Sequence, residues 1–465
     1  MPGLLLNFHF RLIVSLILNK MGNIMAIDIG IVLVSITIFD KRNSIFPVKI
    51  KEAKTKCLFE CDSYFEVDQS FYSIKHGGTF HFAHFNIHYF REFLESNAFD
   101  AIMTFVENNC DVNEEQVLFQ NLALKNMVTD VPFSPDGRRR SFTVSEDELS
   151  EETKDETDDN QTTEHDKIGG GFPSEVMLEE IIEEYGVVRN LKGRQLLCTG
   201  GYNSNFAELI SALLNVRLYK VSKYLSTIIS AIDYQKSNFY SLPSPKTENI
   251  YKLGKIKTDK NDQILFSMEG KLYPYLLVNL RSGASFIRVN SKTEYKRVIG
   301  TSIGAGTFVG IMKLINPNDN LTETIAKSFE GDTNKVDMSV GDIYGEGYEG
   351  IGLPAEVIAS SFGKVIDKTP EEIEKLNQSD ISLSLMNLVM FNTLNIANLV
   401  AQIEDIKNIV LVGHHLRIFE LEQLCEMGFN LLNGGKSKLM FVNHSSYLGS
   451  LGLMIEHGGL DTLFD

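Results

Sequence analysis

A glycine-rich stretch in the second half of the chain has the residue types that bind phosphate. It is RVIGTSIGAGTFVG, residues 297–310, and it follows a run that is typical of a strand. Glycines such as Gly304 and Gly306 let backbone N–H groups approach an anion, and Thr307 opens an apolar run typical of a helix, whose N-terminus favours negative charge. The pattern predicts a phosphate site. It is neither a Walker loop nor a dinucleotide fingerprint, and close packing of the helix on a sheet stays open as the alternative.

Two further turns place small or acidic residues between runs that are typical of strands. In IMAIDIGIVLVSITIF, residues 24–39, Asp28 and Gly30 interrupt an apolar, β-branched sequence, which predicts a strand, a tight turn and a second strand. A carboxylate in such surroundings needs a partner, and Mg²⁺ is one candidate; the alternative is an ordinary turn aspartate. The segment LYPYLLVNLRSGASFIRV, residues 272–289, repeats the pattern around Ser282. Two such units predict a duplicated fold.

Further strands are expected between helical runs near the end of the chain. NIVLVG, residues 408–413, and KLMFVNH, residues 438–444, are apolar and β-branched, and a run rich in small residues, SYLGSLGLMIEH, follows the second of them. A helix is expected from about Thr307. Because strands alternate with helices, the sequence predicts an α/β architecture with mostly covered sheets.

Composition excludes some classes of function. The length of 465 residues and the hydrophobic content of 43% predict two domains and an insertion. The net charge of −17 argues against a general affinity for nucleic acid or anionic membranes, since neutralising phosphates needs clustered Lys and Arg. The five cysteines are too few and too scattered for a disulfide framework, so a reducing, cytoplasmic location is expected.

Four histidines lie close together, at His76, His81, His84 and His88. Their density suggests a metal site, but their spacing does not favour one. His81 and His84 are three residues apart, so a strand would place them on opposite faces, and no Cys or carboxylate completes a set of ligands. A metal site is not expected here.

Two segments are expected to lie outside the folded core. Residues 1–20 are predicted to be an unstructured or mis-assigned leader, with an interfacial helix or a targeting segment as alternatives; they are too short and too interrupted for a stable membrane span. Residues 131–172 are rich in carboxylates and poor in apolar residues, which predicts a disordered acidic insertion. Solvation is its simplest role. The alternative is that the arginines at 138–140 present Ser141 and Thr143 to a kinase and then to a phosphopeptide reader.

Four longer blocks resemble a known family, the eukaryotic-type (type II) pantothenate kinases. They are YKRVIGTSIGAGTFVG (295–310), GDIYGEGYEGIGLPAEVIASSFGK (341–364), VLVGHHLR (410–417) and KLMFVNHSSYLGSLG (438–452), in the order and close to the spacing of that family. The resemblance covers about residues 21–460. It implies the duplicated, ribonuclease H-like fold of the actin-like, sugar kinase and Hsp70 ATPase superfamily, with ATP in a cleft between two lobes.

The resemblance also implies an activity and roles for single residues. The activity is transfer of the γ-phosphoryl group of ATP to the hydroxyl of pantothenate, with Mg²⁺, at the first step of coenzyme A biosynthesis. The implied positions are Asp28, with Mg²⁺, and Gly30 in the first phosphate loop, Ser282, Gly283 and Ser285 in the second, Gly304, Gly306 and Thr307 in the glycine-rich turn, Gly413 and Arg417 beside the adenosine, and Arg297 at the pantothenate and transferred phosphoryl group.

The chain departs from the family pattern at three places. Ile31 and Val32 stand where the first loop of the family has Gly-Thr, and Arg281 replaces the opening glycine of the second loop. Lys223 falls on the position of the glutamate that acts as general base. An ammonium group accepts no proton near neutral pH unless it is strongly desolvated, so a neighbouring acid such as Glu208 is the candidate substitute.

These departures bear on the expected assembly. The resemblance implies a dimer in which Val357, Ile358 and Ala359 line the pantothenate pocket of the partner, with a first lobe at residues 21–270 and a second at residues 271–465. The assembly is expected to be a homodimer or a heterodimer with a paralogous kinase chain that supplies the missing glutamate. The alternative is a catalytically impaired pseudokinase that binds nucleotide or acyl-CoA and regulates a partner.

Overall fold

A computed structural model of the chain describes residues 23–29, 33–40, 65–73, 78–86, 195–200, 217–221, 224–243, 263–316, 321–348, 350, 353–417 and 419–457. The strands are β1 (Asn23–Ile29), β2 (Leu33–Asp40), β3 (Phe65–Ser73), β4 (Gly78–Asn86), β5 (Gln195–Thr199), β6 (Arg217–Lys220), β7 (Phe239–Ser241), β8 (Ile264–Phe266), β9 (Tyr275–Leu280), β10 (Ala284–Val289), β11 (Tyr295–Thr301), β12 (Met338–Ser339), β13 (Ile358–Ser360), β14 (Asn408–Gly413) and β15 (Lys438–Val442). The helices are α1 (Tyr224–Tyr234), α2 (Ala305–Ile315), α3 (Leu321–Ser328), α4 (Val340–Tyr344), α5 (Pro370–Ile373), α6 (Gln378–Ile403), α7 (Phe419–Asn433) and α8 (Leu448–His457). The predicted leader and the predicted acidic insertion lie outside the described residues.

Two large sheets share an order of five strands. The first sheet runs β3-β4-β2-β1-β5-β6, and the second runs β11-β10-β9-β14-β15-β7-β8. In each sheet an antiparallel hairpin, β1–β2 or β9–β10, is extended on one side by an antiparallel strand and on the other by two strands parallel to the first strand of the hairpin. The repeated order and directions confirm the predicted α/β, duplicated ribonuclease H-like fold.

The hairpins form where the sequence predicts them. Both consist of β-branched and apolar residues on either side of a short turn. β9 is buried along its whole length, because helices cover both faces of the second sheet. Leu276 and Val278 face one core, while Tyr275 and Leu277 face the other.

The helices form two layers around the second sheet. On one face α2, α6 and α7 pack into a core with β9, β10, β14 and β15. On the other face α1 and α8 lie between the two sheets, so that Ala26 and Leu197 of the first sheet and Leu277 and Val410 of the second belong to one hydrophobic cluster. α1 and α8 therefore join the two halves.

Small residues allow this middle layer to pack tightly. A side chain at Gly452 of α8 would overlap the carbonyl group of Thr227 on α1. The small-residue run noted in the sequence is thus a helix-crossing surface. Hydrogen bonds also fasten this end of the chain to the first sheet, since Ser35 donates to the carbonyl oxygen of Ser446 at 3.0 Å, and the Thr37 and Ser450 hydroxyls lie 2.8 Å apart.

α6 has the length and apolar composition of a membrane span, and it is the one such helix among the described residues. Most of its apolar stretch is buried within the protein, where Leu385, Val389 and Leu394 pack into the core that α6 shares with α2 and α7. It serves here as a core helix.

The predicted boundary between lobes at residue 270 stays a prediction. β7 and β8, which precede it, hydrogen-bond into the second sheet, while α8, near the end of the chain, packs against the first. Sheet membership therefore does not follow a single cut in the sequence.

Candidate functional site

A cavity of about 360 Å³ opens at the ends of β9, β10 and β11. Its walls come from the β9–β10 turn and from the segment that leads from β11 into α2. The lining residues are Asn279, Arg281, Ser282, Gly283, Ala284, Ser285, Arg297, Gly300, Thr301 and Ser302. Two guanidinium groups and several hydroxyls give this cavity the character of an anion site. It contains Ser282, Gly283, Ser285 and Arg297 of the predicted site.

The glycine-rich turn lies behind the cavity wall. The backbone N–H of Ala305 donates to the carbonyl oxygen of Arg281 at 2.8 Å, and that of Gly306 donates to Ser282 at 3.0 Å. The N–H of Gly304 donates to the hydroxyl of Thr307 at 3.1 Å. These first amides of α2 therefore already have partners within the protein. That Gly304, Gly306 and Thr307 hold phosphate stays a prediction.

The glycines of this turn have a packing role. A Cβ atom at Gly304 would lie 2.6 Å from the backbone of Gly283, and one at Gly306 would lie 3.0 Å from Ser282. A side chain at Gly283 would in turn overlap the carbonyl group of Thr301. The bare backbone thus lets α2 press against the β9–β10 turn, which is the alternative that the sequence left open.

Arg297 lies in β11 with its side chain in the cavity wall. Its guanidinium group covers Gly300 so closely that a Cβ atom there would overlap Nη2. The lack of a side chain at Gly300 therefore leaves room for the guanidinium group of Arg297. Within the described residues Arg297 forms no ion pair, which leaves its charge available to an anion in the cavity.

Arg281 connects the cavity to the first sheet. Its Nη2 atom lies 2.7 Å from Oδ2 of Asp28, and it also donates to the hydroxyl of Tyr224. The guanidinium carbon lies 5.0 Å from the centre of the Tyr224 ring, within cation–π range. The residue that departs from the family pattern thus forms an ion pair between the two halves.

Asp28 is enclosed on all described sides. It is 1% exposed, and burial raises the pKa of its carboxyl, while the charge and hydrogen bond of Arg281 oppose that rise and favour the carboxylate. A Cβ atom at Gly200 would lie 3.0 Å from Oδ1, and one at Gly449 would overlap Oδ2. Oδ1 has no hydrogen-bond partner among the described residues.

This enclosure bears on the predicted magnesium ion. Mg²⁺ needs six oxygen ligands near 2.1 Å and usually keeps several waters. Oδ2 is taken by a guanidinium group, Gly200 backs Oδ1, and the described residues contain no group of three acidic, His or Cys side chains placed to hold a metal. The arrangement around Asp28 therefore does not fit a protein-held Mg²⁺.

Two glycines occupy equivalent positions in the two halves. Gly200 follows β5 and is packed against the backbone of Ile29, while Gly413 ends β14, where a Cβ atom would lie 2.6 Å from the carbonyl oxygen of Leu280. Gly413 is buried, and its own carbonyl accepts a hydrogen bond from Ser445 at 3.0 Å. An adenosine contact at Gly413 stays a prediction.

Several predicted residues lie apart from the cavity or outside the described residues. Ile358 and Ala359 lie in β13 of the small β12–β13 sheet, and Val357, directly before that strand, accepts a hydrogen bond from the N–H of Val340 at 2.8 Å. The predicted positions that lie outside the described residues are Gly30, Ile31, Val32, Ser141, Thr143, Glu208, Lys223 and the side chain of Arg417.

Two of the clustered histidines lie in β4. His81 and His84 are both buried, because β4 is an inner strand of the first sheet. Nδ1 of His84 lies 2.7 Å from the hydroxyl of Tyr447, and its ring contacts His414 edge-on at 4.9 Å. His84 thus ties the first sheet to the segment after β15.

Sequence reasoning missed Tyr224, Gly200 and Asn279. The duplication offered a signal for two of them, because Asn279 occupies in β9 the place that Asp28 has in β1, and Gly200 follows a strand as Gly413 ends one. Tyr224 had no such signal, since only the folded chain brings α1 to the β9–β10 turn.

Comparison with known proteins places these features in a family. The Fumble family model matches residues 139–456. Pantothenate kinase 1 of Arabidopsis thaliana is 34% identical over 259 residues, which are 55% of this chain and 63% of the relative. The pantothenate kinase of Schizosaccharomyces pombe is 30% identical over 272 residues, 58% of this chain and 64% of that protein. The chain thus spans somewhat less than two thirds of the length of these relatives.

Among solved structures, the glucokinase of Balamuthia mandrillaris in complex with glucose covers 95% of this chain and 98% of its own, at 10% identity and a TM-score of 0.30. The family match includes every residue that lines the cavity. The resemblance indicated by the four sequence blocks is confirmed, and the chain belongs to the Fumble family.

Proposed function

We propose that this chain is a pantothenate kinase, or a subunit of one, which transfers the γ-phosphoryl group of ATP to the hydroxyl of pantothenate at the first step of coenzyme A biosynthesis. The observation that carries the proposal is the cavity at the β9–β10 turn, which lies inside the family match and has two arginines in its wall. Relatives that match more than half of the chain bear the name pantothenate kinase. Their name supplies the substrate of the proposal.

In this proposal the cavity holds the polyphosphate. Arg297 neutralises charge on the γ-phosphoryl group while the oxygen of the pantothenate hydroxyl forms a bond to phosphorus and the bond to the bridging oxygen of ADP breaks. The hydroxyls of Ser282 and Ser285 orient phosphate oxygens from the same wall. The protein supplies positioning and electrostatic stabilisation rather than covalent chemistry.

The hydroxyl proton needs an acceptor. Among the described residues no carboxylate lines the cavity. We therefore keep the proposal that a paralogous chain supplies a glutamate across a dimer, and that this chain supplies Arg297 and the wall at 357–359. Ala359 is exposed, and the neighbouring segment exposes four large apolar side chains that a partner would cover. They are Ile343, Tyr344, Tyr348 and Leu353.

Hydrogen bonds that the site already forms within the protein favour a second candidate function. The amides at the start of α2 have partners, and Arg281 holds Asp28. Such an arrangement suits a pseudokinase that binds nucleotide and regulates a partner without turnover. In that case ATP stabilises the chain but no phosphopantothenate forms.

The experiment measures ATP-dependent formation of phosphopantothenate by mass spectrometry, for the chain alone and mixed with a glutamate-bearing paralogue. We expect product from the mixture. R297A is expected to lower its rate by about 100-fold, the effect typical of removing one transition-state donor. R288A is the matched control, because Arg288 lies on the adjacent strand and pairs with Glu404 outside the cavity.

Each outcome has a distinct meaning. Absence of product from the chain and from the mixture contradicts the kinase proposal, and a rise in melting temperature with ATP then supports the pseudokinase. Full activity of the chain alone contradicts the need for a partner. An equal loss in R288A and R297A contradicts the role of Arg297.

A further inference from the structure

The ion pair between Arg281 and Asp28 has features of a ligand site rather than of a simple brace. Both described contacts of the guanidinium group, to Asp28 and to Tyr224, are made by Nη2. A guanidinium group has five N–H donors, so donors on Nε and Nη1 have no partner among the described residues. Arg281 is 31% exposed and lines the cavity. Its open donors are thus available to a ligand there.

The Nη2 side of the Arg281 guanidinium group is held in place by two neighbouring residues. Asp28 is 1% exposed and holds Nη2 at 2.7 Å, and the ring of Tyr224 lies under the guanidinium carbon. An arginine held by a buried carboxylate and an aromatic ring has lost most of its rotamer freedom, so little further ordering is needed when it binds an anion.

The position is the one at which a metal was expected. The carboxylate of Asp28 is the predicted Mg²⁺ ligand. Its Oδ2 atom instead forms an ion pair with the guanidinium group of Arg281, which belongs to the other half of the molecule. A divalent ion beside that guanidinium group would meet a like charge and a carboxylate that is already neutralised. A phosphate group in the cavity would therefore contact a cation, the guanidinium group of Arg281, in the absence of any metal.

From these observations we infer that Arg281 is a resident cation that replaces protein-held Mg²⁺ at Asp28, so that this chain binds the triphosphate of a nucleotide without needing the metal. The inference rests on the proposed function only in that the cavity receives a nucleotide. It makes Arg281 a positioning and binding residue. Turnover in the assembled kinase is a separate question.

The test measures binding of the non-hydrolysable analogue AMP-PNP by calorimetry, once with Mg²⁺ and once with EDTA. For the wild-type chain we expect dissociation constants that agree within about 3-fold. R281A is expected to lose at least about 10-fold in affinity in EDTA, the loss typical of one charge-assisted hydrogen bond, and to recover part of it with Mg²⁺.

Matched variants separate charge from structure. R288A removes an arginine of similar exposure, 34% against 31%, that also binds an acid, at 2.8 Å, and it is expected to match the wild type in both buffers. R281Q keeps a hydrogen-bond donor for Asp28 without the charge and is expected to lose affinity in EDTA as R281A does, which keeps the test decisive should R281A not fold. R281K keeps the charge and is expected to restore most of the affinity.

Three results overturn the inference. The first is a wild-type chain that binds AMP-PNP at least about 10-fold more tightly with Mg²⁺ than with EDTA, which leaves the proposed kinase function standing. The second is an R281Q or R281A variant that binds as tightly as the wild type in EDTA. The third is no binding by the wild type in either buffer, which also removes the nucleotide from the proposed function.

Discussion

The hairpins β1–β2 and β9–β10 have the same place in their sheets but different chemistry. Asp28 lies opposite Ser35 in the first, and Asn279 lies opposite Ser285 in the second, each at the last but one residue of its strand. Asp28 is 1% exposed and lies 2.7 Å from the guanidinium group of Arg281, whereas Asn279 is 8% exposed, carries an amide and is part of the cavity wall. The first half therefore supplies a buried acid, and the second supplies the cavity wall.

The comparison extends to the strands that run parallel to each hairpin. Gly200 after β5 and Gly413 at the end of β14 pack against the last residue of β1 and β9, respectively. Gly200 has a φ of 109°, in the region that favours glycine, whereas no such constraint applies to Gly413. In both halves the duplicated backbone brings a glycine close to the end of the first hairpin strand. The chemistry of each half therefore depends on the side chains around that glycine.

The largest effect is expected from adding a methyl group at these two glycines. G413A is expected to destabilise the protein by about 2 kcal/mol, because its Cβ would lie 2.6 Å from the carbonyl oxygen of Leu280. G200A is expected to cost about 4 kcal/mol, because an unfavourable φ adds to a similar overlap. Urea unfolding measures both.

G310A is the control for this pair, since nothing lies within 4 Å of a Cβ atom at Gly310 in α2. It is expected to be neutral or to stabilise the helix by up to about 1 kcal/mol. Equal losses in G200A and G413A would show that φ does not distinguish the halves.

The second prediction concerns the buried acids of the two halves. Asp28 has a cation at 2.7 Å, whereas Glu426 in α7 is 7% exposed and forms no ion pair among the described residues. Burial raises the pKa of the Glu426 carboxyl from its ordinary value of 4.5 to about 7, and the hydrogen bond from Asn430 and the charge of Lys438 oppose the rise.

Because the folded state binds this proton more tightly than the unfolded state, Glu426 lowers stability as pH rises from about 4.5 to about 7, and the loss is complete above that range. E426Q keeps the acceptor for Asn430 without a charge. Relative to the wild type it is expected to gain about 3 kcal/mol between pH 4.5 and pH 8. Parallel stability profiles for the two proteins would contradict the assignment.

The third prediction makes the hairpins more alike. N279D places in the second half the carboxylate that the first half has, and this charge would face the polyphosphate that we propose for the cavity. We expect affinity for AMP-PNP to fall by about 10-fold through like-charge repulsion. N279A removes the amide without adding charge, so a loss as large as that of N279D would show that charge is not the cause.

The smallest effect is expected at the ion pair between Arg288 and Glu404. Its side chains are 34% and 27% exposed, so solvent screens the attraction. R288A is expected to lower the free energy of unfolding by less than about 1 kcal/mol. A double-mutant cycle with E404A gives the coupling energy, and a coupling well above that value would remove R288A as a control for Arg281.

Local sequence patterns predicted the elements well. The strand NIVLVG coincides with β14, and both hairpins were expected from apolar, β-branched runs on either side of a turn. KLMFVNH was expected to be a strand through residue 444, but β15 ends at Val442, since His444 has a φ of 57°. α2 begins at Ala305, two residues before the expected start.

Long-range contacts were not predictable in the same way. The residue types of the glycine-rich turn suit phosphate, but only the folded chain shows that the amides of Ala305 and Gly306 are bonded to the neighbouring turn. Likewise Arg281 was noted as a departure, while its partner Asp28 lies 253 residues away. The local sequence shows which residue types form a turn. Contacts with distant parts of the chain determine which hydrogen-bonding groups of that turn remain available to a ligand.

The middle layer of α1 and α8 has a consequence for how the protein is made. Ser35 and Ser446 are 411 residues apart, yet they are hydrogen-bonded, and α8 fills the core face of the first sheet. While the chain emerges from a ribosome, that sheet must wait with an uncovered apolar face until almost all of the protein has been synthesised. A premature stop codon shortly before α8 would therefore produce a chain that chaperones hold and proteases remove.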